Sequence, residues 1–179
     1  MKIEHTNLKG CFVIEPEVYI DQRGSFSEVY NDHDFNKLTE LDISFVQDNQ
    51  SVSKKNVLRG FHFQIGDYAQ SKLVRVVHGS ILDVCVDLRE NSATYLKHFK
   101  IKLSDENKKQ LFVPRGFAHG FLALSDNTIV NYKCDAIYKR SHERGIRYDD
   151  PTFAVDWPIL DKDIIISDKD LNLPFFGEK

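Results

Sequence analysis

The chain has 179 residues, the length of one ordinary domain, so we expect a single domain over residues 1–179. Lys and Arg total 24 while Asp and Glu total 27, giving a formal net charge of −3. This balance argues against nucleic acid as a partner, because nucleic-acid-binding domains concentrate positive charge. Aromatic residues make up 12% of the chain, so it has the apolar side chains that disordered chains lack.

Cysteine usage and the length of the apolar runs indicate the cellular compartment in which the protein is expected. Cys11, Cys85 and Cys134 are few and widely spaced, which excludes a disulfide framework and a zinc site. The apolar runs fall far short of the roughly 18 residues that a membrane span requires. The N-terminus lacks the apolar stretch of a signal peptide. We therefore expect a cytoplasmic protein without a membrane partner.

Short apolar runs separated by turn residues follow one another along the chain. Because they are rich in β-branched and aromatic residues, they predict strands at 11–14, 26–30, 45–51, 57–64, 72–78, 81–89, 96–103, 110–113, 120–124, 128–134 and 146–148. One short helix is expected after Asn31, with Phe35 and Leu38 facing inward, and one helical turn at 104–107. So many short strands predict a sandwich, jelly roll or barrel, and the pattern alone does not choose among them.

The run 81–89 shows the clearest two-residue period. Its apolar face consists of Leu82, Val84, Val86 and Leu88. Its other face carries Asp83, Cys85, Asp87 and Arg89. We expect the first face in the core and the second toward a barrel interior or solvent.

Arg59 and His62 stand within the strongly apolar run 57–64. An arginine in such a strand lies at its end or beside an anion. Three residues separate the two side chains, so an ideal strand would point them to opposite faces. If both serve one site, Gly60 must permit a bulge or a strong twist. A solvated arginine and a core histidine are the alternative interpretation.

Metal and cofactor motifs are missing from the sequence. His62-Phe63-Gln64 is not a His-x-His pair, and the other six histidines show no paired ligand spacing, so we expect no metal site. There is no glycine-rich phosphate loop, dinucleotide fingerprint or nucleophile elbow. We therefore expect no nicotinamide or ATP cofactor.

Four further positions carry side chains suited to chemistry. His119 lies between small residues, which let a ligand approach closely. Tyr132 is expected on an inward strand face and Lys72 at a strand start. Arg23 in a turn before Phe26 suits a phosphate beside a stacked base. Each also has an ordinary structural explanation: a loop, a buried ring, a strand-end amine or a surface turn.

Taken together and in order, these motifs resemble the dTDP-4-dehydrorhamnose 3,5-epimerase family over almost the whole chain. The matching stretches are Asp21-x-Arg23-Gly24-x-Phe26-x-Glu28, Gln47-x-Asn49-x-Ser51, Val57-Leu58-Arg59-Gly60-x-His62-x-Gln64, Gln70-x-Lys72-Leu73-Val74-Arg75-Val76, Gly79-x-Ile81-x-Asp83-Val84-x-Val86-Asp87-x-Arg89, Pro114-x-Gly116-Phe117-Ala118-His119-Gly120-Phe121, Tyr132-Lys133, Asp150-Pro151, Trp157-Pro158 and Ser167-x-Lys169-Asp170. No single stretch is specific, but the ordered set is.

The resemblance implies a mainly β, cupin-like jelly roll with a few short helices, active as a homodimer without metal or cofactor. It implies an isomerase that inverts C3 and C5 of a 4-keto-6-deoxyhexose carried on a nucleoside diphosphate, in deoxysugar biosynthesis. A mono-epimerase, a 3,4-ketoisomerase and a non-catalytic sugar-nucleotide-binding domain remain alternatives. Phe61 and Phe63 stand where Leu and Tyr are common in the family, which leaves the preferred nucleotide and sugar open.

By position, the resemblance also implies residue roles. His62 matches the base, Asp170 the carboxylate that orients it, Tyr132 the acid on the opposite face, and Lys72 the cation beside the enolate oxygen. Substrate-binding positions are matched by Arg59 and His119 near the sugar and diphosphate, and by Arg23, Phe26, Glu28, Gln47, Asn49 and Tyr138 on the nucleotide side. These residue types suit the reaction, because a proton beside a ketone needs a base and a group that stabilises the enolate.

Overall fold

The computed structural model describes residues 1–178, which form thirteen strands and two short α-helices. The strands are β1 (Lys2–His5), β2 (Phe12–Glu15), β3 (Tyr19–Asp21), β4 (Gly24–Phe26), β5 (Gln47–Ser53), β6 (Leu58–Gln64), β7 (Lys72–His78), β8 (Ser80–Asp87), β9 (His98–Ser104), β10 (Gln110–Val113), β11 (Phe117–Ala123), β12 (Thr128–Cys134) and β13 (Glu143–Gly145). The helices are α1 (Asp32–Thr39) and α2 (Asp168–Leu171). No helix among residues 1–178 is long and apolar enough to cross a membrane.

Two antiparallel sheets form the jelly roll. The six-stranded sheet has the order β1-β2-β10-β7-β12-β5, and the five-stranded sheet has the order β13-β6-β11-β8-β9. Side chains from both sheets, including Val74 and Val130 of the first and Cys85 and Phe121 of the second, meet in one apolar cluster. The prediction of a mainly β chain with few short helices is confirmed.

The central strands of the five-stranded sheet are covered on both faces. Its outer face, with Val84 and Val86, is covered by the C-terminal part of the chain through Ile146, Phe153 and Trp157. The second face of β8 is therefore the interior of the jelly roll, where the side chains of Asp83, Cys85 and Asp87 are wholly buried.

The outer face of the six-stranded sheet is covered over only part of its width. Asn31 caps α1 by accepting a hydrogen bond from the Asp34 backbone N–H, and Phe35 of α1 packs against Phe112. Leu38 was expected inward but is exposed, because it lies on the helix face turned away from the sheet. Farther across the sheet, Val52 and Val77 are also exposed.

Several predicted element bounds needed correction. The strands at 72–78, 110–113 and 128–134 are confirmed, but 26–30 is wrong because β4 already ends at Phe26. The strand expected at 146–148 lies earlier, as β13, which pairs with β6 through Gly145 opposite His62. Residues 105–107 form a turn and not a helical element. β1 and β3 were missed because their side chains are mostly exposed and give no apolar alternation.

Candidate active site

A cavity of about 340 Å³ opens between the two sheets and collects most of the residues proposed from the sequence. The five-stranded sheet contributes Arg59, His62 and His119. The remaining proposed residues in its wall are Gln47, Asn49, Lys72, Tyr132, Tyr138 and Asp170. Because the two sheets face each other, groups from opposite sides can reach one ligand.

Gly60 allows Arg59 and His62 to serve the same cavity. The pairing of β6 with β11 shifts its register between His119 and Phe121, as expected for a bulge. Gly60 has φ +123, and a Cβ there would lie 2.5 Å from the Cα of Gly120. No residue with a side chain fits this approach, so the predicted irregularity at Gly60 is confirmed.

His62 and Asp170 form a pair at the cavity wall. His62 Nε2 lies 2.9 Å from Asp170 Oδ1, and the Gly60 backbone N–H donates to Asp170 Oδ2 at 3.2 Å. Burial favours the neutral acid, but these hydrogen bonds hold the pKa of the Asp170 carboxyl below its ordinary value. Ser167 caps α2 through the Asp170 backbone N–H and so fixes where the carboxylate lies. His62 Nδ1 has no hydrogen-bond partner within residues 1–178 and remains free to face a ligand.

Tyr132 and Lys72 approach from the six-stranded sheet. The Lys72 ammonium lies 5.9 Å from the centre of the Tyr132 ring and donates weakly to the His62 carbonyl oxygen at 3.4 Å. Burial lowers the pKa of Lys72 and raises the pKa of the Tyr132 hydroxyl. The Tyr132 hydroxyl makes no hydrogen bond to any residue of the part described, 1–178. Tyr132 therefore offers a protonated hydroxyl across the cavity from His62.

His119 also has a carboxylate partner. Its Nε2 lies 2.8 Å from Asp83 Oδ1, and both residues are buried. His119 stands directly opposite His62 in the pairing of β11 with β6. The cavity wall thus holds two neighbouring His–Asp pairs, of which Asp83 was not proposed as a site residue from the sequence.

The amide side chains and Tyr138 form one part of the cavity wall. Gln47 Nε2 donates to Asn49 Oδ1 at 3.0 Å, and the Tyr138 backbone N–H donates to Gln47 Oε1 at 2.8 Å. Arg59 Nε donates to Ser53 Oγ at 3.2 Å and Nη2 donates weakly to the Val52 carbonyl oxygen at 3.4 Å, while the side chain stays exposed to solvent. Aromatic, amide and guanidinium groups therefore line the same cavity, and such groups can contact a phosphate and a planar ring.

Two charged residues of the cavity wall were not proposed from the sequence. Glu143 accepts hydrogen bonds from Tyr138 Oη at 3.0 Å and from Lys169 Nζ at 2.7 Å. Burial raises the pKa of Glu143, but these bonds outweigh it and the pKa is lowered overall. Lys169 could have been found, because it directly precedes Asp170. Glu143 gave no signal, because only the pairing of β13 with β6 brings it to the cavity.

Three proposed residues lie away from this cavity. Arg23 and Phe26 belong to the β3–β4 hairpin, where their side chains are among the most exposed in the molecule. Arg23 is paired with its neighbour Asp21 at 2.6 Å. Glu28 is exposed as well. Among the described residues, the folded chain thus places all proposed catalytic groups in one cavity but leaves part of the proposed nucleotide side outside it.

Within residues 1–178 no group of three or more His, Cys, Asp or Glu side chains is arranged to hold a metal ion. The expectation of a metal-free and cofactor-free reaction remains a prediction, which activity in the presence of a chelator can test.

A histidine–aspartate pair and a tyrosine hydroxyl on opposing walls, with a partly buried lysine beside them, define a jelly-roll protein whose cavity carries groups suited to proton transfer. The family model described as dTDP-4-dehydrorhamnose 3,5-epimerase matches residues 5–178. The chain belongs to this family.

Individual relatives agree with this assignment. A dTDP-4-dehydrorhamnose 3,5-epimerase of Methanothermobacter thermautotrophicus is 53% identical over 93% of this chain and 90% of its own length. The crystal structure of such an epimerase from Elizabethkingia anophelis has 49% identity and a TM-score of 0.95, covering 98% of this chain and 96% of the other. A dTDP-6-deoxy-D-glucose-3,5-epimerase from Legionella pneumophila, solved with dTDP-4-keto-L-rhamnose, has 40% identity and a TM-score of 0.93, covering 97% of this chain and 92% of the other.

Proposed function

We propose that this protein is an isomerase that converts dTDP-4-keto-6-deoxy-D-glucose to dTDP-4-keto-L-rhamnose by inverting C3 and C5. One observation carries the proposal: His62 and Tyr132 project into one cavity from opposite sheets. Inversion needs a base on one face of the sugar ring and an acid on the other. Family membership and the product bound to the Legionella relative support the substrate.

Deprotonation begins at His62. With its Nε2–H donated to Asp170, the Nδ1 lone pair takes the proton from the carbon next to the ketone. Asp170 fixes the ring tautomer and stabilises the imidazolium that forms. The electron pair moves toward the ketone oxygen, and the Lys72 ammonium stabilises the resulting enolate.

Reprotonation completes the inversion. The Tyr132 hydroxyl gives its proton to the same carbon from the opposite face, and the electron pair returns from the enolate oxygen to carbon. His62 then holds a proton and Tyr132 lacks one, so exchange with water restores both. Because burial raises the pKa of Tyr132, the hydroxyl stays protonated until it is needed. The reaction includes no oxidation or reduction and therefore requires no redox partner.

Binding of the remainder of the substrate is assigned to charged and amide groups. Arg59 and His119 would hold the sugar and diphosphate, since a guanidinium matches phosphate geometry. Gln47, Asn49 and Tyr138 would hold the nucleotide, with the Tyr138 ring as a stacking surface.

We further propose that the protein is a homodimer in which the hairpin of one subunit completes the nucleotide side of the other. The hairpin exposes Tyr19, Ile20 and Phe26 by 57%, 81% and 70%, which is unusual for apolar side chains that remain in water. β5 forms the edge of its sheet beside the cavity and can pair with another chain. A partner's hairpin at this edge would bring Arg23, Phe26 and Glu28 to the cavity wall.

The function is tested by NMR in deuterated water, with dTDP-4-keto-6-deoxy-D-glucose and the purified protein and without added metal or cofactor. We expect deuterium at both C3 and C5, and L-rhamnose after a reductase is added. An excess of chelator should leave the rates unchanged, and activity restored by a divalent metal would contradict the metal-free mechanism.

Other outcomes would identify the alternatives. Deuterium at one carbon, with a single inverted centre, would indicate a mono-epimerase. Movement of the ketone from C4 to C3 would indicate a 3,4-ketoisomerase. Binding of the sugar nucleotide without exchange would indicate a non-catalytic binding protein.

A further inference from the structure

Asp83 is a wholly buried carboxylate that the mechanism above does not use. Its Oδ1 lies 2.8 Å from His119 Nε2, whereas its Oδ2 is buried and has no hydrogen-bond partner within residues 1–178. Leaving a buried carboxylate oxygen unpaired destabilises a fold, so such a group calls for an explanation other than stability. Asp83 does not line the cavity and could reach a ligand only through His119.

The His119 ring is held from one side only. Nε2 is bonded to Asp83, while Nδ1 has no hydrogen-bond partner in the described part of the chain and is not among its buried unpaired atoms. His119 itself lines the cavity. A carboxylate can only accept, so it requires the proton on Nε2 and leaves Nδ1 of the neutral ring as an acceptor.

We propose that Asp83 is a positioning residue that keeps the His119 proton on Nε2 and so presents Nδ1 to the cavity as an acceptor for a hydroxyl group of the sugar. This proposal rests on the proposed function, because it assumes that the cavity binds a hydroxylated sugar. Under this proposal a buried carboxylate orients each of the two neighbouring histidines, since Asp170 holds His62 in the same way.

Other charged groups could also influence the His119 ring. Those sharing its cavity or its strand pairing are Arg59, His62, Lys72, Tyr132, Tyr138, Cys85, Glu143, Lys169 and Asp170. None of these groups is hydrogen-bonded to the His119 ring, and Asp83 is the one hydrogen-bond partner of that ring within residues 1–178.

The test is Asp83→Asn, which keeps the size of the side chain but can donate a hydrogen bond to Nε2. Nitrogen-15 NMR of histidine-labelled protein, with the His119 signals assigned by His119→Gln, should show Nε2 protonated in the unchanged protein. In Asp83→Asn the amide can accept from or donate to Nε2, so the exclusive protonation of Nε2 should be lost and a tautomer protonated at Nδ1 should appear. We expect the kcat/KM of solvent-deuterium uptake by the substrate to fall roughly 10- to 100-fold, the size of loss seen when the hydrogen-bond partner of a metal-binding histidine is removed.

Asp87→Asn is the matched control. Asp87 lies on the same strand and the same interior face and is equally buried, but it is bonded to Arg89. The Asp87→Asn substitution should lower thermal stability while leaving the His119 tautomer and deuterium uptake unchanged. If both variants reduce uptake equally, a general loss of packing explains the effect and the proposal is wrong.

A double-mutant cycle decides whether Asp83 acts through His119. Asp83→Asn should have little further effect on kcat/KM in a His119→Gln background. Additive losses, or an unprotonated Nε2 in the unchanged protein, would overturn the proposal. The NMR tautomer is read without substrate, so it can support or overturn the role of Asp83 even if the unchanged protein shows no epimerase activity.

Discussion

Two polar regions inside the same jelly roll differ in how completely their hydrogen bonds are made. At the cavity, His62 Nδ1 and the Tyr132 hydroxyl have no partners within residues 1–178, and behind the cavity wall Asp83 Oδ2 has none either. Farther along β8, Asp87 is as deeply buried but accepts hydrogen bonds from Arg89, Ser92 and Thr94. We call the latter four residues the Asp87 cluster.

The difference separates groups kept for a ligand from groups that stabilise the fold. Polar atoms of His62 and Tyr132 that face the cavity without a protein partner can form hydrogen bonds with a substrate, and Asp83 acts only through His119. In the Asp87 cluster, both carboxylate oxygens of Asp87 already accept hydrogen bonds from protein groups. Substitutions at the cavity should therefore change chemistry, and substitutions in the cluster should change stability.

The largest effect is expected for His62→Ala. Deuterium uptake at C3 and C5 should fall by roughly 10²–10⁴-fold because the general base is lost, while dTDP binding stays nearly unchanged. NMR exchange rates and calorimetric titration with dTDP measure the two effects. His78→Ala, an exposed histidine outside the cavity, is the control and should behave as the unchanged protein. Unchanged exchange in His62→Ala would remove His62 from its role.

Tyr132→Phe should separate exchange from inversion. His62 can still remove a proton and return a deuteron to the same face, so exchange should persist while inversion falls by roughly 10²-fold or more. The ratio of label uptake to inverted product, followed by NMR, measures this. Tyr30→Phe removes a hydroxyl that bonds Asp32 outside the cavity and should leave the ratio unchanged. Parallel loss of exchange and inversion would contradict Tyr132 as the opposing acid.

Much of the fold and site could be predicted from the sequence. The alternating pattern at 128–134 marks a strand with one buried face, and the apolar run at 72–78 marks a strand in which Leu73 and Val74 are buried on opposite faces. The proposed catalytic residues came from resemblance, and the structure adds that Gly60 lets Arg59 and His62 share the cavity. Glu143 and the pairing of Asp83 with His119 depend on contacts between distant segments, which no local pattern records. The exposure of Leu38 likewise depends on how α1 lies against its sheet.

Arg23→Ala should have a smaller effect, because the hairpin is proposed to bind the nucleotide without taking part in proton transfer. We expect the Kd for dTDP to rise by roughly tenfold, the loss of about 1.4 kcal/mol, with kcat little changed at saturation. Arg147→Ala is the matched control, because Arg147 forms the same kind of pair with Asp149 at 2.7 Å but lies outside the cavity.

Mixed dimers sharpen this test of the hairpin. A dimer of one His62→Ala subunit and one Arg23→Ala subunit keeps one site with an intact His62. If the hairpin crosses to the other subunit, that site receives an intact Arg23 from its partner and should show the ordinary KM. A raised KM in the mixed dimer would place Arg23 in its own subunit's site and contradict the exchange of hairpins.

The smallest effect on activity is expected for Asp87→Asn, whose consequence is a change in how stability depends on pH. Burial raises the pKa of Asp87, but hydrogen bonds from Arg89, Ser92 and Thr94 outweigh it and hold the pKa well below its ordinary value. The unfolded chain then binds more protons in acid than the folded chain does. The free energy of unfolding gained from Asp87 is present above about pH 4 and declines as the pH falls further.

Urea unfolding of the unchanged protein between pH 7 and pH 3 should therefore show this decline, and Asp87→Asn should show a shallower one. At pH 7 the variant should be less stable by about 2 kcal/mol or more, because Arg89 loses its charged partner. Its deuterium uptake should remain ordinary wherever it is folded. A variant with unchanged stability and reduced uptake would reverse the assignment of the two polar regions, since the Asp87 cluster would then serve chemistry and not the fold.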